Sequence, residues 1–235
     1  MNHREVRLHL VRHGRTASNA AGTYTGMRDV DLSEEGLEGL EQLMTTGDYG
    51  MVTKVFVSPL KRCQQTAEKL FPNAEKVVVE GLIEYNFGEY EGHTSKELAK
   101  RQDYLDWTAG LPEAAPPKGE TNQAFNDRIR QTVEDLIKQI AAETAQTTDT
   151  ANVAIVSHGG VIMTIMSMFA EPKATATDWF MVNGTGYTVT AVLEDELRFT
   201  DIAFYPETEE NRGKTPNPLE LKNFLPTPFP TLKKE

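Results

Sequence analysis

The 235-residue sequence predicts a three-layer α/β/α domain with a mostly parallel central sheet. Three observations carry this expectation. Short apolar, β-branched runs alternate with helical patterns along most of the chain. Two of those runs, residues 6–11 and 153–156, pass directly into a histidine-glycine turn, His13-Gly14 and His158-Gly159. The last two runs, 187–193 and 197–204, alternate around Glu194-Asp195-Glu196 and read as an antiparallel hairpin. Ligands bind at the carboxyl edge of the strands in open α/β sheets, so the paired turns point to one site assembled from two distant stretches.

Each element has a local reason. Residues 6–11 alternate partly and then become wholly apolar, the mark of a strand covered on both faces. A glycine-bearing loop, 14–28, follows. Asp31-Leu32-Ser33-Glu34-Glu35-Gly36 starts a helix, with Ser33 as N-cap and acidic residues in the first turn. Leu37, Leu40, Leu43 and Met44 share a face of that helix and are its expected core contacts. Residues 52–57 form a second strand, turned by Ser58-Pro59-Leu60 into a helix with Pro59 at its first position. Arg62, Thr66 and Lys69 recur there at helical spacing, and 76–79 is a short third strand.

The stretch 93–119 is less regular, carries Pro112, Pro116 and Pro117, and is long enough to cap the sheet edge. A helix over 121–145 returns the chain to the core. After the 153–156 strand, an apolar helix over 161–169 buries Met163, Met166, Met168 and Phe169. One domain is expected over 1–205, with a Pro-rich tail over 206–235. The apolar residues Leu219, Leu221, Phe224, Leu225 and Phe229 of that tail are expected to pack on the body or on a second copy of the chain, giving a homodimer.

Composition excludes several classes. With 39% hydrophobic and 25% charged residues the chain is an ordinary globular protein. No apolar run approaches the roughly 20 residues that span a bilayer. The first residues contain no apolar signal core, and a single cysteine, Cys63, suits a reducing compartment, so a cytoplasmic location is expected. A net charge of -11 without a basic stripe argues against nucleic acid. It leaves room for a small anionic substrate, because arginines focused in a cleft outweigh a negative exterior locally. His3, His9, His13, His93 and His158 show no HExxH-type spacing, so no metal is expected, and no motif read so far calls for a cofactor. His9, inside the first strand, reads as a core or edge histidine satisfied by its neighbours, and Cys63 as a small packing residue.

The strand ends suit phosphoryl transfer. Neutral imidazole is a competent nucleophile toward phosphorus, and a covalent step divides one hard displacement into two. Arg12, adjacent to His13, and Arg62, after another strand, carry guanidinium forks that match phosphate oxygens. Their charge also favours a neutral His13. An acid must protonate the leaving alkoxide, and residues 81–92 offer Glu84, Glu89 and Glu91. Tyr24, Tyr85, Phe87, Tyr90, Tyr104 and Trp107 suggest a pocket with apolar walls.

These pieces together resemble the histidine phosphatase superfamily, which includes the cofactor-dependent phosphoglycerate mutases. The resemblance rests on Arg12-His13-Gly14 with Thr16 and Asn19, Tyr24-Thr25-Gly26 leading to Asp31-Leu32-Ser33, and Ser58-Pro59-Leu60-Lys61-Arg62 with Thr66-Ala67. It continues through Glu84 with Phe87-Gly88 and Glu91-Gly92, Gly119-Glu120-Thr121, and Ser157-His158-Gly159-Gly160, all in the family's order. It implies a phosphoglycerate mutase-like fold with a small cap and a transiently phosphorylated His13. Arg12, Arg62 and His158 would hold the phosphoryl oxygens, with Asn19, Thr25, Gly26 and Gly159 also around the substrate. Glu84 would be the proton donor.

Two departures favour hydrolysis over the mutase reaction. No Arg-Arg pair lies between Gly92 and Gly119, and Glu84-Tyr85-Asn86-Phe87-Gly88 replaces a mutase-like Glu-Arg-x-Tyr-Gly. The expected function is therefore a phosphomonoester hydrolase acting on a small phosphorylated metabolite. A primer-dependent mutase is the alternative reaction. A non-catalytic binder of phosphorylated ligands is the alternative class, and such a binder would keep its affinity in His13→Ala and show no hydrolysis.

Overall fold

The computed structural model describes residues 4–143 and 152–217. Nine-residue strand β1 (Arg4–Arg12) runs down the middle of a six-stranded sheet, beside β5 (Asn152–Ser157). Outward from β5 lie β3 (Lys54–Val57) and β4 (Glu75–Val78), all parallel to β1. On its other side β1 pairs antiparallel with β6 (Gly186–Leu193), and β6 with β7 (Leu197–Tyr205). The mostly parallel sheet and the terminal hairpin are as the sequence predicts.

Alternation along the strands assigns each face. Leu8, Leu10, Phe56, Val153 and Ile155 pack in one apolar cluster with Ile129 and Val133 of α6 (Asn122–Glu143) and Ile162 and Ile165 of α7 (Gly159–Phe169). Val11, Val55, Val57, Ala154 and Val156 face the other way. There they meet Leu40 of α2 (Glu34–Thr46) and Cys63 and Ala67 of α3 (Lys61–Leu70). Burial on both faces explains the unbroken apolar runs.

Two details correct the sequence reading. Helix α2 buries Gly36 and Leu40, with Leu43 half-buried, whereas Leu37 and Met44 are exposed. The cause is a backbone contact: Gly36 lies directly against the Arg15 carbonyl, which also accepts the Ser33 N–H at 3.0 Å, and this turns the helix. Helix α3 starts at Lys61 with Leu60 before it, so Pro59 stands in the turn and not at the first helical position. The first residues of the expected tail lie against the body, where Glu207–Thr208 (β8) pairs with Gly47–Asp48 (β2). Leu219, Leu221, Phe224, Leu225 and Phe229 lie outside the described residues.

The stretch 93–119 contains α4 (Ser95–Leu98) and α5 (Gln102–Thr108), after α1 (Ala17–Ala21) in the first loop. Of the aromatic residues expected to wall a pocket, Tyr24 lines the cleft described below and Tyr85 joins the core of the sheet, while Tyr90 and Tyr104 form the cap's own core. Tyr90, Leu98 and Tyr104 are buried together, with Tyr24, Phe87 and Trp107 around them.

His9 is satisfied inside the sheet. Its Nε2 donates to Asn152 Oδ1 at 2.6 Å, its Nδ1 accepts from the Thr188 hydroxyl at 2.8 Å, and its ring stacks on Tyr205. Burial brings its pKa from 6.5 down to about 4, with Arg7 adding to the fall and the Asn152 bond opposing it. The folded value lies below the unfolded one, so this stabilisation is complete above about pH 6.5 and is lost as pH falls through about 4. Urea unfolding at pH 7.5 and 4.5 should show wild type losing about 2–3 kcal/mol more than His9→Gln over that interval.

Candidate active site

Strand register brings the site together. Arg12 pairs with Ser157, and Val57 pairs with Val156, so β1, β5 and β3 end side by side. The residues that follow, His13, His158 and Ser58, therefore share one edge. The His13 N–H closes on the Ser157 carbonyl at 2.9 Å, and the Ser58 N–H on the Val156 carbonyl at 3.1 Å. The two imidazoles stand edge to face, with ring centroids 5.3 Å apart.

Hydrogen bonds decide the tautomers. His13 Nδ1 lies 2.7 Å from the Gly14 carbonyl oxygen, which can only accept, so Nδ1 carries the proton. In the neutral ring Nε2 is then the lone pair. Asn183 Nδ2 donates to the His13 carbonyl at 2.9 Å and to the Gly14 carbonyl at 3.3 Å, holding this turn in place. His158 Nδ1 accepts from Arg62 Nε at 3.3 Å, so its Nε2–H donates to Ser58 Oγ at 2.7 Å. Both nitrogens of His158 are thus engaged, and it reaches a ligand oxygen only by exchanging one of these bonds. Cys63 Sγ sits 3.5 Å from His158 Nε2 as buried packing, its thiol pushed up by burial.

The guanidinium groups are held on one edge and open on another. Arg62 is buried and donates to the carbonyls of Arg28 at 2.7 Å and Gly26 at 2.8 Å, besides His158. Three of its five N–H donors are used, and two remain. Arg12 donates Nη1 to the Met181 carbonyl at 2.9 Å, while its Nε is buried without a partner. A buried donor in that condition is costly unless a ligand satisfies it.

The loop that steers Arg62 depends on Gly26, whose φ of +56° favours glycine and where a Cβ would run into the Glu91 carboxylate. Glu91 also accepts the Met27 N–H at 2.8 Å and pairs with Arg28 at 3.4 Å. Thr25 adjoins Gly26 on this loop, its carbonyl accepting the Arg28 N–H. Of the three candidate acids, Glu84 alone is buried beside the histidines. Its Oε1 accepts the Tyr85 N–H at 2.9 Å and its Oε2 the Gly160 N–H at 3.4 Å. A Cβ on Gly160 would meet Glu84 Oε1 at 2.7 Å, so glycine makes room for the carboxyl. Glu89 is exposed and pairs with Lys118 at 2.9 Å.

Charge and burial set protonation. Burial first, then Arg62 and Arg12, lower His13 well below 6.5. Burial raises Glu84, against its backbone bonds and the same two arginines. The edge therefore combines two neutral imidazoles, two cations with donors to spare, and a carboxyl shifted toward its acid form. It can take a tetrahedral dianion, offer a lone pair to it and supply a proton. Among the described residues no group of three or more His, Cys, Asp or Glu side chains could hold a metal ion.

Alongside lies a cleft of about 560 Å³. It opens beside Arg12 and Gly14, between Tyr24 and Phe180, with Arg15 and Glu35 on its wall. Asn19 borders it. Its Oδ1 accepts from the Thr16 N–H and hydroxyl and from Asn183, which leaves the amide nitrogen for a ligand. Gly159, at the start of α7, lies against Arg12: a Cβ there would approach its Nε at 3.3 Å. Arg101 is taken up by Asp103 and the Tyr90 ring. Asn183 and Arg15 were not singled out by the sequence, and Ser58 was quoted in a motif without a role. Ser58 could have been found from its place past a strand end, but Asn183 stands in a loop without a motif.

The profile of the histidine phosphatase superfamily (branch 1) matches residues 8–203. The adenosylcobalamin/α-ribazole phosphatase of Salmonella typhimurium is 30% identical over 181 residues, 75% of this chain and 86% of that protein. An acid phosphatase of Mycobacterium tuberculosis is 31% identical over 176 residues, 73% of this chain and 79% of its own. Among solved structures, a phosphoserine phosphatase from Entamoeba histolytica in complex with 3-phosphoglyceric acid superposes with a TM-score of 0.65 at 25% identity, covering 87% of this chain and 98% of that one.

Inorganic phosphate, a tetrahedral anion, should stabilise the fold through the open guanidinium edges. At about 100 times its Kd the thermal midpoint should rise by about 5 °C. Arg12→Ala should remove most of that rise.

Proposed function

The chain belongs to the histidine phosphatase superfamily, and we propose that it is a metal-independent phosphomonoester hydrolase of small phosphorylated metabolites, working through a phosphohistidine, in which His13, Arg12, Arg62, His158 and Glu84 carry the chemistry. The observation that supports this most is the His13 Nδ1–H bond to the Gly14 carbonyl, which leaves Nε2 as a lone pair under the field of two arginines.

In the first step His13 Nε2 attacks phosphorus, the P–O bond to the leaving group breaks, and protonated Glu84 gives its proton to the departing alkoxide. In the second step water attacks the phosphohistidine and its proton goes to the Glu84 carboxylate. The P–N bond breaks, releasing phosphate and neutral His13. Arg12 Nε and the two remaining Arg62 donors meet the charge that builds on the phosphoryl oxygens. The Asn19 amide nitrogen and the Gly159 N–H at the start of α7 add donors. Thr25 and Gly26 act through the loop whose carbonyls aim Arg62. His158 orients Arg62 and gains access to the phosphoryl group by releasing Ser58.

The leaving group occupies the cleft between Tyr24 and Phe180, of a size for a small metabolite. The names of the relatives, α-ribazole phosphatase and phosphoserine phosphatase, mark the range of such substrates. A cytoplasmic location is also proposed, in keeping with the single cysteine.

The deciding experiment is hydrolysis of 4-nitrophenyl phosphate in EDTA. Wild type should turn over and accumulate acid-labile phosphate on the protein, and His13→Ala should lose at least about 1,000-fold. Undiminished turnover in His13→Ala would overturn the assignment. Turnover only as a primed mutase would replace hydrolysis by phosphoryl return.

The pH profile of kcat/KM should be bell-shaped. Attack needs neutral His13 and fails as pH falls through its lowered value, while departure needs protonated Glu84 and fails as pH rises past its raised value. The opposite shifts widen the shared window. Arg62→Ala removes a positive neighbour, so His13 should titrate higher and the acid limb should move to higher pH. A flat profile from pH 5 to 8 with chemistry rate-limiting would refute the pairing.

A further inference from the structure

We propose that Arg128, braced by Glu120, is a positioning residue that holds the acid Glu84 in its proton-delivering place. The inference rests on the reading of Glu84 as the acid. Arg128 lies on α6, outside the phosphate site, and its guanidinium bonds the backbone that carries Glu84 directly and, through Glu120, indirectly. Its Nη1 donates to the carbonyls of Gly81 and Ile83, both at 2.9 Å. Its Nη2 donates to Glu120 Oε1 at 2.7 Å. That same oxygen accepts the Asn86 N–H at 2.8 Å. One ion pair thus grips the chain immediately before Glu84 and two residues after it.

The grip is reinforced. The Tyr85 hydroxyl donates to the Glu120 carbonyl at 2.9 Å, and the Glu120 N–H donates to the Asn86 carbonyl at 3.1 Å. The Arg128 guanidinium rests over the Phe125 ring at 5.2 Å, and the ion pair is three-quarters buried or more, with side-chain exposures of 25% and 18%. Such a pair is not explained as a surface salt bridge. Two carbonyls and one amide N–H within six residues require a planar, multidentate donor with a matching acceptor, which a lysine cannot supply.

The consequence for chemistry follows from the position of Glu84. Its carboxyl fits against Gly160 with no room to spare and receives that N–H only at 3.4 Å. A small displacement of the 81–86 backbone moves the proton away from the leaving oxygen, and proton delivery falls steeply with distance. A leaving group that departs as a stable anion does not need that proton, whereas an alkoxide does.

The test compares kcat/KM for 4-nitrophenyl phosphate and for an alkyl phosphate, glycerol 2-phosphate, in wild type, Arg128→Gln and Glu84→Gln. The ratio reads only steps through loss of the leaving group. Glu84→Gln should lose about 100-fold or more on the alkyl ester and far less on the aryl ester. Arg128→Gln should follow the same pattern at about 30-fold on the alkyl ester, with the aryl ester within about threefold. Arg128→Lys should recover only part of the loss.

An equal loss on both esters, or none, in Arg128→Gln while Glu84→Gln discriminates would overturn the positioning role alone. No discrimination in Glu84→Gln would remove the acid assignment and this proposal with it. If Arg128→Gln does not fold, Glu120→Gln tests the same brace, keeping an acceptor for the Asn86 N–H while removing the charge that pins Nη2.

Discussion

The structure depends on the parallel pairing of β1 with β5, in a register that matches Arg12 to Ser157. Slipping either strand by one residue would reverse which side chains face each layer and separate the two histidine turns. That slip is resisted because Leu8, Leu10, Val153 and Ile155 must all enter one core and Val11, Ala154 and Val156 the other. The energy of apolar burial on two faces therefore sets the 5.3 Å spacing of two imidazoles. Catalytic geometry is inherited from packing, not from local bonds alone.

Around that spacing the molecule concentrates cations in a protein whose formal charge is -11. Arg12 and Arg62 are kept inside by carbonyl oxygens of Met181, Gly26 and Arg28, neutral acceptors that satisfy donors without cancelling charge. A carboxylate in the same position would quench the field that a phosphoryl group has to feel. Glu84, buried beside the two arginines, is shifted by that burial toward its neutral form. The site is thus electropositive before a ligand arrives.

Much of this was legible in the sequence, for physical reasons. Strands covered on both faces write themselves as apolar runs, and the two His-Gly turns follow directly on such runs. The parallel order, the terminal hairpin and the site residues His13, His158, Arg12, Arg62 and Glu84 could be placed together on that ground and on the ordered motifs. The rotation of α2 was not legible, because it follows from Gly36 touching the Arg15 carbonyl, a contact between segments. The aromatic residues of 85–107 were read as pocket walls because sequence gives composition but not neighbours, and in three dimensions Tyr90 and Tyr104 turn toward each other. Asn183 and Arg128 were invisible for the same reason, since each acts on residues far away in sequence, and Glu120 stood in a quoted motif that did not disclose its partner.

The cap has a core of its own, formed by Tyr90, Leu98 and Tyr104, and shares none of these buried residues with the two cores of the sheet. Selection can therefore alter the two halves of the enzyme at different rates. Replacements in the cap's helices change what is admitted while leaving the strand ends in register, and the bond-breaking apparatus can be retained through long divergence. Exchange of this short segment is still felt beyond it, because Phe87 and Trp107 pack against both the cap core and the larger core of the sheet.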